Sequence, residues 1–161
     1  MFRKLFKKKA TDIVAPMAGK LLSLDQVNDP VFSERAMGDG FAIEFKQGNV
    51  YAPVDGEIIT VFPTHHAIGI KADDRNEYLI HIGLDTVNFK GEGFKAHVSA
   101  GQRIQKGDLL LEVDHPFFQK HQVDMISPVI VTNLNGRKIE ILKENEIVTV
   151  GTAEILRIFV P

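Results

Sequence analysis

The chain has no cysteine among its 161 residues. That excludes disulfides, thiolate metal sites and cysteine nucleophiles, and it suits a cytoplasmic setting. No apolar run approaches the roughly 18 residues that would suggest a transmembrane helix. No secretory signal is visible, because the basic start is not followed by a long apolar stretch. Helical periodicity sustained over about ten residues is missing too. So is any Gly-x-x-x-x-Gly-Lys phosphate loop.

What is present fits one domain with a real core, at 44% apolar and 25% charged residues. The net charge of −2 hides an asymmetry. Residues 1–9 hold Arg3, Lys4, Lys7, Lys8 and Lys9, which leaves 14 cations against 21 acids in the rest. An acidic body argues against nucleic acid and suits a basic protein partner. Phe2, Leu5 and Phe6 stand at helical spacing among those first cations. Residues 1–11 are expected to be either a weak membrane-surface contact, made through 1–9, or a disordered solubilising tail. Residues 12–161 form the domain.

From Asp12 onward short apolar runs alternate with Gly, Pro, Asn and Asp. The pattern predicts an all-β fold, an antiparallel sandwich or barrel. Only short helical turns interrupt it, near 29–36 and 115–121. An internal repeat points to duplication. Ala15-Pro16-Met17-Ala18-Gly19 and Ala52-Pro53-Val54-Asp55-Gly56 each precede a short strand. Ser127-Pro128-Val129 is a weaker third copy, with proline expected at a strand start. Residues 101–111 are predicted to form a hairpin around Lys106-Gly107-Asp108. That turn resembles one in biotinyl and lipoyl carrier domains, but no acceptor Met-Lys-Met or Asp-Lys-Ala follows. The strands of the last third close the fold and suggest no chemistry.

Residues 78–87 are the most informative stretch. Period-2 alternation predicts a buried strand with Tyr78, Ile80, Ile82 and Leu84 on one face. His81, Gly83 and Asp85 share the other face with Leu79. Residues 62–70 look like a neighbouring strand, joined through a turn at 73–76. Pairing would bring His66 near His81. One strand histidine is usually a satisfied half-buried residue. Two on paired strands, with Thr64 and Asp85 close by, suggest a site.

The ordered motifs resemble one family, the glucose-type IIA component of the bacterial phosphoenolpyruvate-dependent sugar phosphotransferase system. They include Asp29-Pro30-Val31-Phe32-Ser33-Glu34, Gly38-Asp39-Gly40, Ala52-Pro53-Val54-Asp55-Gly56, Thr64-His65-His66-Ala67, His81-Ile82-Gly83-Leu84-Asp85-Thr86-Val87 and Lys90-Gly91-Glu92-Gly93-Phe94. The resemblance spans about residues 12–158 and implies a duplicated β-sandwich. It implies a cytoplasmic phosphocarrier that takes a phosphoryl group from HPr and passes it to the IIB domain of a sugar permease. It places the phosphate on His81, as a tele-phosphohistidine, with the other ring nitrogen held by the carbonyl of Gly83. It gives His66 the role of stabilising the phosphoryl group and Thr64 that of orienting His66. Asp29 and Asp85 would meet an arginine of the partner, while Asp39 is read as a turn residue. Val31, Phe32, Phe62 and Val87 would form an exposed apolar ring around the histidines. No cofactor and no metal are implied. Regulatory protein partners are a further implication of the resemblance.

Two other readings compete. A zinc peptidase of the lysostaphin-like kind uses a His-x-His pair, whereas Gly83 stands two residues after His81, and no third ligand is evident. A non-catalytic regulatory module would use the same surface as a carrier.

Overall fold

The computed structural model describes residues 9–161. The expected amphipathic segment lies outside the described residues, apart from the exposed Lys9. Thirteen strands follow: β1 (Gly19–Ser23), β2 (Asp39–Phe45), β3 (Val50–Tyr51), β4 (Gly56–Val61), β5 (Ala67–Ala72), β6 (Glu77–His81), β7 (Phe94–Ala96), β8 (Arg103–Ile104), β9 (Leu109–Val113), β10 (Ile126–Val131), β11 (Lys138–Ile141), β12 (Ile147–Val148) and β13 (Leu156–Phe159). Two short helices, α1 (Pro30–Ser33) and α2 (His115–Lys120), stand where helical turns were expected. Asp29 starts α1 by accepting the Val31 N–H at 3.0 Å, with Pro30 in the first turn. No helix among the described residues is long and apolar enough to cross a membrane.

The main sheet has the order β12-β1-β2-β10-β6-β5-β4-β8, and every pairing is antiparallel. Strands β3-β9-β7 and β11-β13 form two smaller sheets. The order reads as two similar halves, β12-β1-β2-β10 and β8-β4-β5-β6. The Ala-Pro repeats sit at the start of β1 and β4 and bond to each other. Val14 N–H donates to Pro53 O at 3.0 Å, and Tyr51 N–H to Pro16 O at 2.8 Å. The large sheet therefore curls until regions near its two ends meet.

The duplication reaches further than the sequence repeat. Ala52 exchanges hydrogen bonds with the Gly107–Asp108 turn at 3.0 and 2.8 Å, and Ala15 does the same with Gly151 and Thr152 at 3.0 and 2.9 Å. Gly107 and Gly151 hold φ of 90° and 86°, which a β-carbon would strain. Residues 101–111 are not a hairpin, however. Strand β8 joins β4 in the main sheet, while β9 joins β3 and β7. The turn carries the chain from one sheet to another.

Alternation sorts the side chains. Leu21, Phe41, Ile43, Ile58, Ile68, Ile70, Tyr78 and Ile80 fill the main core. Leu22, Ala42 and Ile130 face the other way and join Leu24, Val27, Phe32, Leu84 and Ile126 in a second cluster. Phe32 is thus a core residue, 3% exposed, and not part of an exposed ring. Burying it contributes about 1.5–3 kcal/mol.

Two strand boundaries differ from expectation. The strand predicted at 78–87 stops at His81, because Gly83 and Asp85 turn left-handed, with φ of 73° and 60°. Leu84 consequently leaves the face shared by Tyr78, Ile80 and Ile82 and enters the second cluster. Residues 62–66 form the loop of the β4–β5 hairpin and not a strand, with His65 at φ 58°. Pro128 lies third in β10, one position before pairing with β6 begins at Val129. A missing N–H is tolerated at such an edge.

Candidate functional site

Hairpin β5–β6 places Ala67 opposite His81, which sets His66 beside it just outside the ladder. The Ile82 N–H donates to the His66 carbonyl at 2.7 Å and ties the two segments together. The imidazole rings lie 5.0 Å apart, edge to face. Phe32 packs on His81 at 5.0 Å and Phe62 on His66 at 5.4 Å. These rings dry one side of the pair.

His81 Nδ1 is 2.8 Å from the carbonyl oxygen of Gly83. A carbonyl only accepts, so Nδ1 carries the proton and Nε2 keeps a bare lone pair. Gly83 has φ 73°, and a β-carbon there would lie 2.7 Å from Thr86 and 2.9 Å from Met125. Only glycine aims this carbonyl back at the ring. Burial pushes the His81 pKa down to about 4, with the charge of His66 adding to the effect. The Gly83 carbonyl, Asp29 and Asp85 oppose it. His81 is neutral at physiological pH. His66, 7% exposed, is also lowered by burial. Its Nδ1 meets the Thr64 hydroxyl.

The other expected site residues separate into groups. Asp29 is close enough to act on His81, yet its carboxylate also caps α1. Asp85 is exposed and makes no capping bond. Val31 and Val87 are 44% and 46% exposed, and Phe62 is half-buried. Asp39 ties a turn by accepting from Gly40 N–H and Arg35 Nε. Sequence reasoning passed over Ser127, which accepts the Gly83 N–H at 3.1 Å from 44 residues away. Among the described residues, no group of three or more His, Asp and Glu side chains converges where a metal ion could sit.

Comparison with known proteins decides the family. Residues 11–137 match the model for the phosphoenolpyruvate-dependent sugar phosphotransferase system, EIIA 1. The chain belongs to that family. It is similar to the glucose-specific EIIA component of Bacillus cereus, with 43% identity covering 98% of each chain. It is also similar to the glucosamine-specific EIICBA component of Bacillus subtilis, with 50% identity over 74% of this chain and 19% of that one. Among solved structures it resembles glucose permease IIA from Mycoplasma capricolum. That likeness has a TM-score of 0.79 and 40% identity, covering 94% of this chain and 96% of the other. The chain is therefore a component of a sugar phosphotransferase system, on an antiparallel β fold.

Proposed function

We propose that His81 Nε2 accepts a phosphoryl group from phospho-HPr and hands it to the IIB domain of a glucose-family permease, at the cytoplasmic side of the membrane. The observation that carries this reading is the Gly83 lock, with Nδ1–H held at 2.8 Å from a carbonyl. A neutral imidazole with one nitrogen committed has a single nucleophilic atom. In the forward step the Nε2 lone pair attacks phosphorus and the bond from phosphorus to the HPr histidine breaks. The ring of His81 becomes cationic while its proton stays on Nδ1. The Gly83 carbonyl, Asp29 and Asp85 favour that cation. In the second step the IIB thiolate displaces the same nitrogen.

His66 supplies the charge stabilisation that phosphoryl transfer chiefly requires. If the Thr64 hydroxyl donates to His66 Nδ1, then His66 Nε2–H is free to donate to a phosphoryl oxygen. Val31, Val87 and Phe62 offer a modest apolar contact, and Asp29 and Asp85 supply steering. The experiment is phosphorylation from phosphoenolpyruvate through enzyme I and HPr, followed by peptide mapping that preserves phosphohistidine. Phosphate on His81 is expected. Phosphate on His66, or on any residue of His81→Ala, would overturn the assignment.

A further inference from the structure

The Gly83 carbonyl is useful only while it points at His81. Two consecutive peptide units decide that. The first joins Ile82 to Gly83, and both its ends are held by buried hydroxyls. Thr86 Oγ1–H donates to Ile82 O at 2.6 Å, and Gly83 N–H donates to Ser127 Oγ at 3.1 Å. Ser127 Oγ–H donates onward to Met125 O at 2.9 Å. Thr86 and Ser127 are both 0% exposed. The second unit joins Gly83 to Leu84. Its carbonyl takes the His81 proton, and its N–H donates to Asp124 O at 2.8 Å.

A glycine at φ 73° has no steric reason to stay there. Rotation of the Ile82–Gly83 peptide would take φ of Gly83 to negative values, and the left-handed turn that presents the next carbonyl to His81 would be lost. That rotation would break both hydroxyl contacts and leave the Gly83 N–H and the Ile82 carbonyl buried and unpaired, which is costly. Each hydroxyl has another chemical identity available that fills the same space without the bond. Alanine at 127 and valine at 86 would keep the packing and release the peptide.

We propose that Ser127 and Thr86 are positioning residues for phosphoryl transfer, which clamp the Ile82–Gly83 peptide so that the Gly83 carbonyl fixes the proton on His81 Nδ1. The inference rests on the reading of His81 as phosphate acceptor. Both residues are fully buried, which sets their hydroxyls apart from any surface that a partner could reach. They act through the tautomer, because a ring with its proton on Nε2 has its lone pair on Nδ1, which faces Gly83 and not the incoming phosphoryl group.

The test uses the full chain as wild type, Ser127→Ala, Thr86→Val and Thr86→Ser. The first readout is the 15N shifts of the His81 ring at pH 7.5, which report the tautomer without reference to transfer. Wild type and Thr86→Ser should show one tautomer, protonated at Nδ1. Ser127→Ala and Thr86→Val should show averaging between the two. The second readout is transfer from phospho-HPr. The same two variants should lose on the order of 10-fold in kcat, with KM for HPr unchanged, as expected for one lost buried hydrogen bond. Thr86→Ser should stay within about twofold of wild type. A pure Nδ1–H tautomer in both hydroxyl-less variants overturns the proposal, as does a serine variant no better than valine at position 86. If wild-type phosphate maps away from His81, the functional reading fails while the tautomer result still stands or falls alone.

Discussion

Two histidines in this molecule share one local chemistry and have different surroundings. His81 gives a ring proton to the Gly83 carbonyl at 2.8 Å, and His115 has Nε2 at 2.9 Å from the Gly48 carbonyl. Each packs edge-on against a phenylalanine, Phe32 at 5.0 Å and Phe45 at 4.5 Å. Burial lowers the pKa of both. The difference lies in what stands next. His81 has a second imidazole at 5.0 Å and two aspartates acting on it. His115 is 8% exposed, opens α2 behind the cap Asp114, and has only Asp114 acting on its charge. Of the two, His81 alone combines the carbonyl contact with a neighbouring imidazole and a ring that is half-buried and not fully buried.

The sharpest way to break this comparison is to remove each ring. His81→Ala should abolish phosphorylation from phospho-HPr, because it removes the one ring of the pair whose Nδ1 proton is held by a backbone carbonyl. His115→Ala should leave transfer within about twofold and cost about 1–3 kcal/mol of stability, through the lost hydrogen bond and ring contact. Transfer assays and urea denaturation on both variants decide it. Phosphorylated His81→Ala protein, or loss of transfer in folded His115→Ala, would erase the distinction.

The donor beside His81 comes next in size. His66→Gln keeps one amide donor where the imidazole stood. Removing a preorganised donor in comparable sites costs about 10²–10³-fold in rate. His66→Gln should still take phosphate on His81, with onward transfer to IIB reduced toward that range. Single-turnover rates for the two half-reactions measure the split. Equal, wild-type rates in both would remove His66 from the mechanism.

A smaller effect should follow from reversing the charges. Asp29→Lys with Asp85→Lys should slow transfer from HPr by roughly 10-fold at low salt and flatten its salt dependence. Because Asp29 also caps α1, Asp85→Lys alone serves as the control for lost helix structure. A salt dependence identical to wild type would show that the carboxylates do not steer.

Much of this arrangement was legible in the sequence, for reasons that can be named. The turn chemistry at 73–76 and the apolar alternation around it brought His66 beside His81 correctly, although the ladder partner of His81 is Ala67. The Ala-Pro repeat announced the duplication. The end of β6 was not legible, because the hydrogen bonds on the left-handed turn at Gly83 come from Ser127, Thr86 and Asp124. Phe32 was misplaced because a four-residue helix has no periodicity from which to read its buried face. The split at residues 101–111 escaped since a turn sequence does not say whether its two strands stay in one sheet. Ser127 was invisible as a positioning group because its partner is 44 residues away.

Proton binding separates His81 from an ordinary histidine as well. An ordinary histidine titrates at 6.5, whereas His81 in the fold is lowered to about 4. Between those values the unfolded chain binds a proton at this position and the folded chain does not. The stabilisation is therefore fully present above pH 6.5 and is lost as pH falls toward 4. The slope has a ceiling of about 1.4 kcal/mol per pH unit for one proton. His81→Gln removes the titrating group and keeps a polar side chain, so its stability should fall less between pH 6.5 and 4. Carboxylates contribute to acid unfolding in both proteins, so the difference between them isolates the ring. His115→Gln should flatten the curve in the same direction, since burial lowers that group too. Urea midpoints at several pH values, with the NMR titration of each ring, make the measurement. A His81 titration midpoint above pH 6, or parallel curves for wild type and His81→Gln, would mean that the fold does not lower the pKa of this ring, and the burial account of its neutral state would fail.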